Sequence, residues 1–405
     1  SVTGDMASSG NTTEESEGRT RTTGPTTSRR SSGHQVIWGQ KVQLGSERLS
    51  TGGDDMRAPL RAFTPPRAFR RRLSHLRICS VNDVYELHNL PRLRSLVRAK
   101  RAEHSGAFIT TMNGDFVSPS ILSGLDKGQG MVEALNSVPI SHCCFGNHEA
   151  DIQLADLAER TVQFRGMWLN SNLPDFRPKL PPYDVVEVAT PSGIIRVGLI
   201  GLLTSEHGVF RKDRFRGLAI EDTLVAAARW SDLLRTSHGV RHVIALTHQS
   251  VGADEVLAQS GSVDLILGGH EHEIMEVRPA GGAPIVKGGS DAHAAAVVDV
   301  AFGEDGGMHV DVVFEDVASY ADDAELGAEV DVHLRTLRAL ESEAVCSSSD
   351  SPATHSAHLA GVTLSSKRTR FEQTSVGTLI TTLIRDCLQT DVATINGGTI
   401  KGNRT

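Results

Sequence analysis

Five times along this chain an apolar run of strand length breaks off into a short polar cluster built mainly from Asp, Asn, His and Gly. LRICSV leads into Asn82–Asp83–Val84–Tyr85, and AFITTM into Asn113–Gly114–Asp115. ISHCCF leads into Gly146–Asn147–His148–Glu149, HVIAL into Thr247–His248, and VDLIL into Gly268–Gly269–His270–Glu271–His272. Between these runs the apolar period lengthens to that of helices. Leu90, Leu93, Leu96 and Val97 share one helical face, and GMVEALNSV, DIQLADLAERTVQF, EDTLVAAARWSDLLRTS and GADEVLAQS read the same way. Strands alternating with helices imply βαβ units and a layered α/β architecture. Open sheets of that kind carry their ligand sites at the C-terminal ends of the strands, where all five clusters fall. IVKGG, AAVVDVAF and MHVDVVFEDV follow without helices and predict an added run of mostly antiparallel strands.

The rest of the chain divides by composition. Residues 1–72 are rich in Ser, Thr, Gly and Arg with no sustained apolar period, so they are expected to form a disordered tail. Residues 73–320 hold the strand–helix alternation. Residues 321–360 read as a linker helix over 322–345 followed by a flexible connector, CSSSDSPATHSAH, and residues 361–405 open a further block too short to hold a core. The net charge of -8 gives no reason to expect nucleic-acid binding. Five cysteines without regular spacing argue against a disulfide framework or a cysteine-rich zinc site. No stretch approaches the roughly 20 apolar residues that a membrane-spanning helix needs.

Asp, Asn and His are hard-to-intermediate donors, suited to Mn, Zn, Fe, Co or Mg rather than to soft cuprous sites. Two divalent ions roughly 3.5–4 Å apart can clamp a phosphate and acidify a water between them. Such a pair needs a shared carboxylate to hold the ions together and imidazoles to complete each shell. A single Asp at a strand end is ordinarily a cap, and a single His beside a strand is ordinarily structural. Five clusters in series, with the His270–His272 pair at the last, point instead to a dinuclear centre. Glycines beside Asp115, Asn147 and His270 let backbone approach closely.

The order of these motifs resembles the calcineurin-like metallophosphoesterase superfamily. Within it, GNHEAD and the C-terminal pieces are similar to the 5'-nucleotidase family, over about residues 76–405. The resemblance implies an αββα sandwich, a linker helix and the start of a second, nucleoside-gripping α/β domain. It implies that Asp83 and His272 ligate the first ion, that Asp115 bridges, and that Asn147, His248 and His270 hold the second. His148 matches the catalytic histidine, and Asp151 matches the carboxylate that orients it, although Asp151 also stands where the following helix would take its N-cap. The implied reaction is in-line displacement at phosphorus, removing phosphate from a small-molecule phosphoester, expected to be a nucleotide. A metallophosphatase or phosphodiesterase acting on some other phosphoester, and an inactive binding homologue, are the alternatives.

Two departures stand out. Tyr85 occupies the position of a family metal-ligating His. It could ligate Fe(III) as phenolate, leave the first metal to be completed by water, or only pack while His88 compensates; the expectation is a water-completed, weaker first site. In the C-terminal block, Arg370 matches a substrate-contacting arginine. Asn396, Gly397 and Gly398 match a nucleotide-contacting NGG turn, with Lys401 in place of the motif's arginine. The paired aromatics that sandwich the base in the family lie beyond the matched segment.

Overall fold

The computed structural model describes residues 75–210, 214–342, 363–369, 371–397 and 400. The expected tail, the connector, Arg370, Gly398 and Lys401 lie outside the described residues.

The first sheet is built around β1 (Leu76–Val81), whose LRICSV run is buried along nearly its whole length. A strand covered on both faces has no polar face to alternate with, which is why it reads as a continuous apolar run. It pairs in parallel with β2 (Ala107–Asn113), which continues in parallel to β3 (His142–Cys144) and β4 (Met167–Leu169). On its other edge β1 pairs antiparallel with β11 (Ala294–Phe302), and β11 with β12 (Met308–Asp316). The second sheet runs β5 (Tyr183–Thr190), β6 (Gly193–Leu203), β7 (His242–His248), β8 (Leu265–Gly268), β10 (Ile285–Gly288) and β9 (Ile274–Val277). There β6, β7, β8 and β10 are parallel, and β5 and β9 close the edges antiparallel. The IVKGG segment, expected in a run of mostly antiparallel strands, is β10, which pairs antiparallel with β9 and in parallel with β8.

The two sheets stack face to face. Leu76, Ile78, Ile109, Val298 and Val300 of the first meet Leu199, Ile244, Leu265, Leu267 and Val286 of the second in one buried cluster. Helices α1 (Leu90–Ala102), α3 (Gln129–Ser137) and α7 (Ala324–Ser342) contribute to the cluster that covers the outer face of the first sheet. Between α1 and α3 comes the short α2 (Ile121–Asp126), and α4 (Leu154–Gln163) follows β3. Helices α5 (Thr223–His238) and α6 (Val251–Gln259) cover the second sheet. The result is the layered αββα arrangement.

The helices form where the chain supplies starts, stops and an apolar stripe. Pro91 opens α1 at a position where its missing N–H costs nothing, and Leu90, Leu93, Leu96 and Val97 are buried. At about 1.5–3 kcal/mol for each such side chain, this face contributes of order 6–12 kcal/mol before conformational entropy is subtracted. Asp222 caps α5 by accepting from the backbone N–H groups of Leu224 and Val225, and Gly239 ends it with a φ of 63°. Helix α7 does more than link, since Leu326, Val330, Leu334 and Leu337 join the core of the first layer. In the C-terminal block, α8 (Ser375–Leu388) is capped by Thr374.

Candidate metal centre

The centre is assembled from the loops that follow β1, β2, β3, β7 and β8. Asp83 and Asp115 are buried with φ of 53° and 55°, and His270 has a φ of 83°. Three ligand candidates thus occupy the left-handed region, which costs of order 1–3 kcal/mol each and persists only where the surroundings impose it. The surroundings are explicit. Asn82 donates to Asp83 Oδ2 (2.7 Å) and to the Gly289 carbonyl (2.6 Å), and accepts from the Gly288 N–H (2.7 Å). The His270 N–H also donates to Asp83 Oδ2 (2.9 Å), and the His148 N–H to Asp115 Oδ1 (2.7 Å).

One ligand atom each from Asp83, Asp115 and His248 lie within 4.8 Å of one another, all buried. His248 Nε2 is 3.1 Å from Asp115 Oδ2 and 3.9 Å from Asp83 Oδ1, while His272 Nε2 is 3.4 Å from Asp83 Oδ1. His270 Nδ1 lies 3.0 Å from Asn147 Oδ1. The six residues that the sequence nominated as ligands are therefore brought together. At His248 the chemistry tests whether a cation fits. Its Nδ1 is 2.7 Å from the Asn113 carbonyl, so Nδ1 carries a proton and Nε2 is the atom turned to the carboxylates. That Nε2 is buried with no hydrogen-bond partner, a position a cation would satisfy. Burial opposes protonation of His248, yet Asp115 and Asp83 outweigh it and raise its pKa to about 10, so the two carboxylates draw positive charge to this point. Asp83 is held below its ordinary value despite burial, by His248, His272 and Asn82, and burial followed by His248 lowers His270. The donor set fits a metal cation.

His148 and Asp151 sit beside the cluster on a 3-10 turn (Asn147–Asp151), with His148 Nδ1 2.9 Å from Asp151 Oδ2. Burial opposes the charged ring, but the Asp151 hydrogen bond and the Asp115 charge raise the His148 pKa above its usual value. The N-cap alternative for Asp151 is not realised, because α4 starts at Leu154 with Gln153 in the cap position. Tyr85 points its hydroxyl into the cluster, 3.2 Å from Asp83 Oδ1, 3.3 Å from Asp115 Oδ2 and 3.2 Å from His272 Nε2. His88 is exposed in the turn before α1. Asn396 and Gly397 lie in the segment after α8, with the Gly397 carbonyl accepting from the Ile400 N–H (3.2 Å).

Sequence reasoning missed the residues that hold the loops. Glu149 is fully buried and accepts four backbone N–H bonds: Phe116 and Val117 on Oε1 (2.9 and 3.0 Å), Asp115 and Gly146 on Oε2 (2.9 and 2.5 Å). Burial and then Asp115 push its carboxyl up, against those N–H groups. Lys287, also fully buried, donates to the Gln249 and Gly269 carbonyls (2.8 and 2.7 Å), pairs with Asp254 (2.8 Å) and with Glu271. Asp254 in turn accepts from Thr247 (2.8 Å) and Gln249 (2.9 Å). The one available signal was a lysine inside the apolar run IVKGG, since a charge there is either an edge or a buried pair. The glycines act as expected: a Cβ at Gly146 would lie 2.2 Å from Asp115 Oδ1, and one at Gly269 would lie 2.3 Å from the Asn113 carbonyl.

Known proteins share this sequence pattern and this fold. The family model described as calcineurin-like phosphoesterase matches residues 76–273. The snake venom 5'-nucleotidase of Gloydius brevicauda is 28% identical over 259 residues, covering 59% of this chain and 42% of the relative. The snake venom 5'-nucleotidase of Naja atra is 29% identical over 261 residues, covering 59% and 46%. The 2',3'-cyclic-nucleotide 2'-phosphodiesterase/3'-nucleotidase of Haemophilus influenzae is 25% identical over 226 residues, covering 49% and 34%. The matched segments thus span less than half the length of these relatives. Among solved structures, a 5'-nucleotidase precursor from Thermus thermophilus superposes with a TM-score of 0.64 at 18% identity, covering 78% of this chain and 67% of that one. That likeness is one of fold.

Proposed function

We propose that the chain, whose residues 76–273 match the calcineurin-like phosphoesterase family model, hydrolyses phosphoesters in a metal-dependent reaction, with a nucleotide as substrate. The observation that carries the reading is the buried Asp83–Asp115–His248 group, whose ligand atoms lie within 4.8 Å of one another, set beside the His148–Asp151 pair. Asp83 and His272 would hold one ion, Asn147, His248 and His270 another, and Asp115 would be shared. Bound metal supplies charge neutralisation on the phosphoryl oxygens and lowers the pKa of water.

The chain's own residues do the rest. Asp151 keeps the His148 ring oriented and favours its cationic form, so that His148 can donate a proton toward a phosphoryl oxygen or the leaving alkoxide. Glu149 and Lys287 fix the loops, so that the charged groups are set before substrate arrives, which is the arrangement that stabilises a developing charge most effectively. The nucleotide assignment is supported by the names of the relatives and by the Asn396–Gly397 motif.

The test is hydrolysis of p-nitrophenyl phosphate with added Mn or Co, for the parent and for His148→Ala and Asp115→Ala. Activity in the parent that collapses in both variants is the expected result, and equal rates in all three would end the enzyme reading. Rates on AMP, UDP-glucose, 2',3'-cyclic AMP and a phosphopeptide then separate a nucleotide substrate from another phosphoester.

A further inference from the structure

The Tyr85 hydroxyl enters the cluster alongside the donors of the first-ion position. Its oxygen lies 3.2–3.3 Å from three atoms, Asp83 Oδ1, Asp115 Oδ2 and His272 Nε2, all on residues that the proposed function assigns to that ion or to the bridge. The ring is held there from several sides. The Tyr85 N–H donates to Asp291 Oδ1 (2.9 Å), and the ring packs against His272 (centroids 5.6 Å apart) and edge-on to His148 (6.3 Å). A phenol has one proton, so it can satisfy only one of the two carboxylate oxygens that face it, and both are themselves acceptors. Four donor atoms converging this way, three oxygens and one nitrogen, have the composition of a ligand shell rather than of a hydrogen-bond network. His88, the other compensating candidate, is exposed in the turn before α1.

We propose that the Tyr85 oxygen is itself a ligand of the first ion, and that this donor set selects a hard, trivalent cation there, ferric iron in particular. The inference rests on the hydrolase reading for its ligand assignments. Two carboxylates and a phenolate bring three negative charges on hard oxygen atoms, which matches a 3+ ion better than a divalent one. Binding forms one iron–oxygen bond, breaks the phenol O–H bond and releases that proton to solvent; the iron enters as Fe(III) and its oxidation state does not change.

The experiment uses the whole chain, stripped with a chelator and titrated with ferric nitrilotriacetate or with zinc, and reads visible absorption and resonance Raman scattering. The expected result is a phenolate-to-iron charge-transfer band in the parent, with tyrosinate ring modes enhanced on excitation in that band. Tyr85→Phe should lose the band and bind ferric iron at least tenfold more weakly, with an unchanged far-ultraviolet dichroism spectrum and thermal unfolding midpoint showing that it folds. Tyr85→His should lose the band and bind zinc more tightly than the parent. Ferric iron bound without colour, or a band that persists in Tyr85→Phe, would overturn the proposal and leave the hydrolase reading standing. If neither ferric iron nor zinc binds the parent, both readings fail together, and the hydrolysis assay reports that failure separately.

Discussion

Replacing Glu149 by Gln removes a single negative charge from the point where four backbone N–H groups converge. Each carboxylate oxygen accepts two of them, Oε1 from Phe116 and Val117 and Oε2 from Asp115 and Gly146. An amide has one carbonyl oxygen, so whichever way it turns, its NH2 faces two N–H donors with no water to relieve them. Two charge-assisted bonds are lost, at about 1.5–3 kcal/mol each, a cost of about 3–6 kcal/mol that is partly offset by removing a charge that burial and Asp115 disfavour. Against a total of about 5–15 kcal/mol for a domain this is a large fraction. The measurement is equilibrium urea unfolding of the metal-free chain above neutral pH, where the parent carboxylate is ionised, together with calorimetric titration of the refolded variant with zinc. The affinity should fall at least tenfold, because Asp115 and the turn carrying Asn147 lose their common anchor. A stability change under about 1 kcal/mol with unchanged zinc binding would refute the reasoning, since it would mean that the four N–H groups find other partners.

Lys287→Met keeps the length and removes the charge, leaving Asp254 and Glu271 without their cation; a loss of about 3–5 kcal/mol is expected in urea unfolding, and a neutral outcome would show that the pair is not sealed from water. Asp151→Asn should lower the pKa of His148. A raised histidine pKa contributes stability that is complete below the ordinary value of about 6.5 and is lost as pH rises through the folded value. The variant should therefore be destabilised more at acid than at alkaline pH, and the alkaline limb of its rate profile should move down; parallel pH curves for parent and variant would contradict this. Gly269→Ala places a Cβ 2.6 Å from His248 Nδ1 as well as against the Asn113 carbonyl, so it should break the His248–Asn113 bond and weaken zinc binding at least tenfold; a titration indistinguishable from that of the parent would show that the loop gives way freely.

How much of this was legible in the residues depends on whether the deciding contacts are local. The central strands were readable because burial on both faces leaves an unbroken apolar run, as in LRICSV and HVIALTH. The ligand candidates were readable because a polar side chain at the end of such a run has few structural reasons to be there. Strand β5 escaped notice, since its partly exposed YDVVEVAT follows two prolines and pairs only with its hairpin neighbour β6. Glu149, Asp254 and Lys287 escaped for a different reason. Their letters are those of surface charges, and only the folded chain brings Lys287 on β10 against Asp254 on α6 and Glu271 after β8. The position of the Tyr85 hydroxyl was open for the same reason, because the carboxylates it approaches come from two different strand ends.

Glu149 and Lys287 have opposite polarity, and that contrast bears on how the centre responds to metal removal. The loops of the first sheet are gathered by an anion collecting N–H groups, and those of the second by a cation collecting carbonyls and carboxylates. The His248–Asn113 and His270–Asp83 bonds already join the two halves. Each half is thus organised by an ion the protein makes for itself, independent of any it acquires. Chelation should then behave as ligand exchange at a standing template, reversible without passage through an unfolded chain, and different metals can be compared in one and the same protein framework.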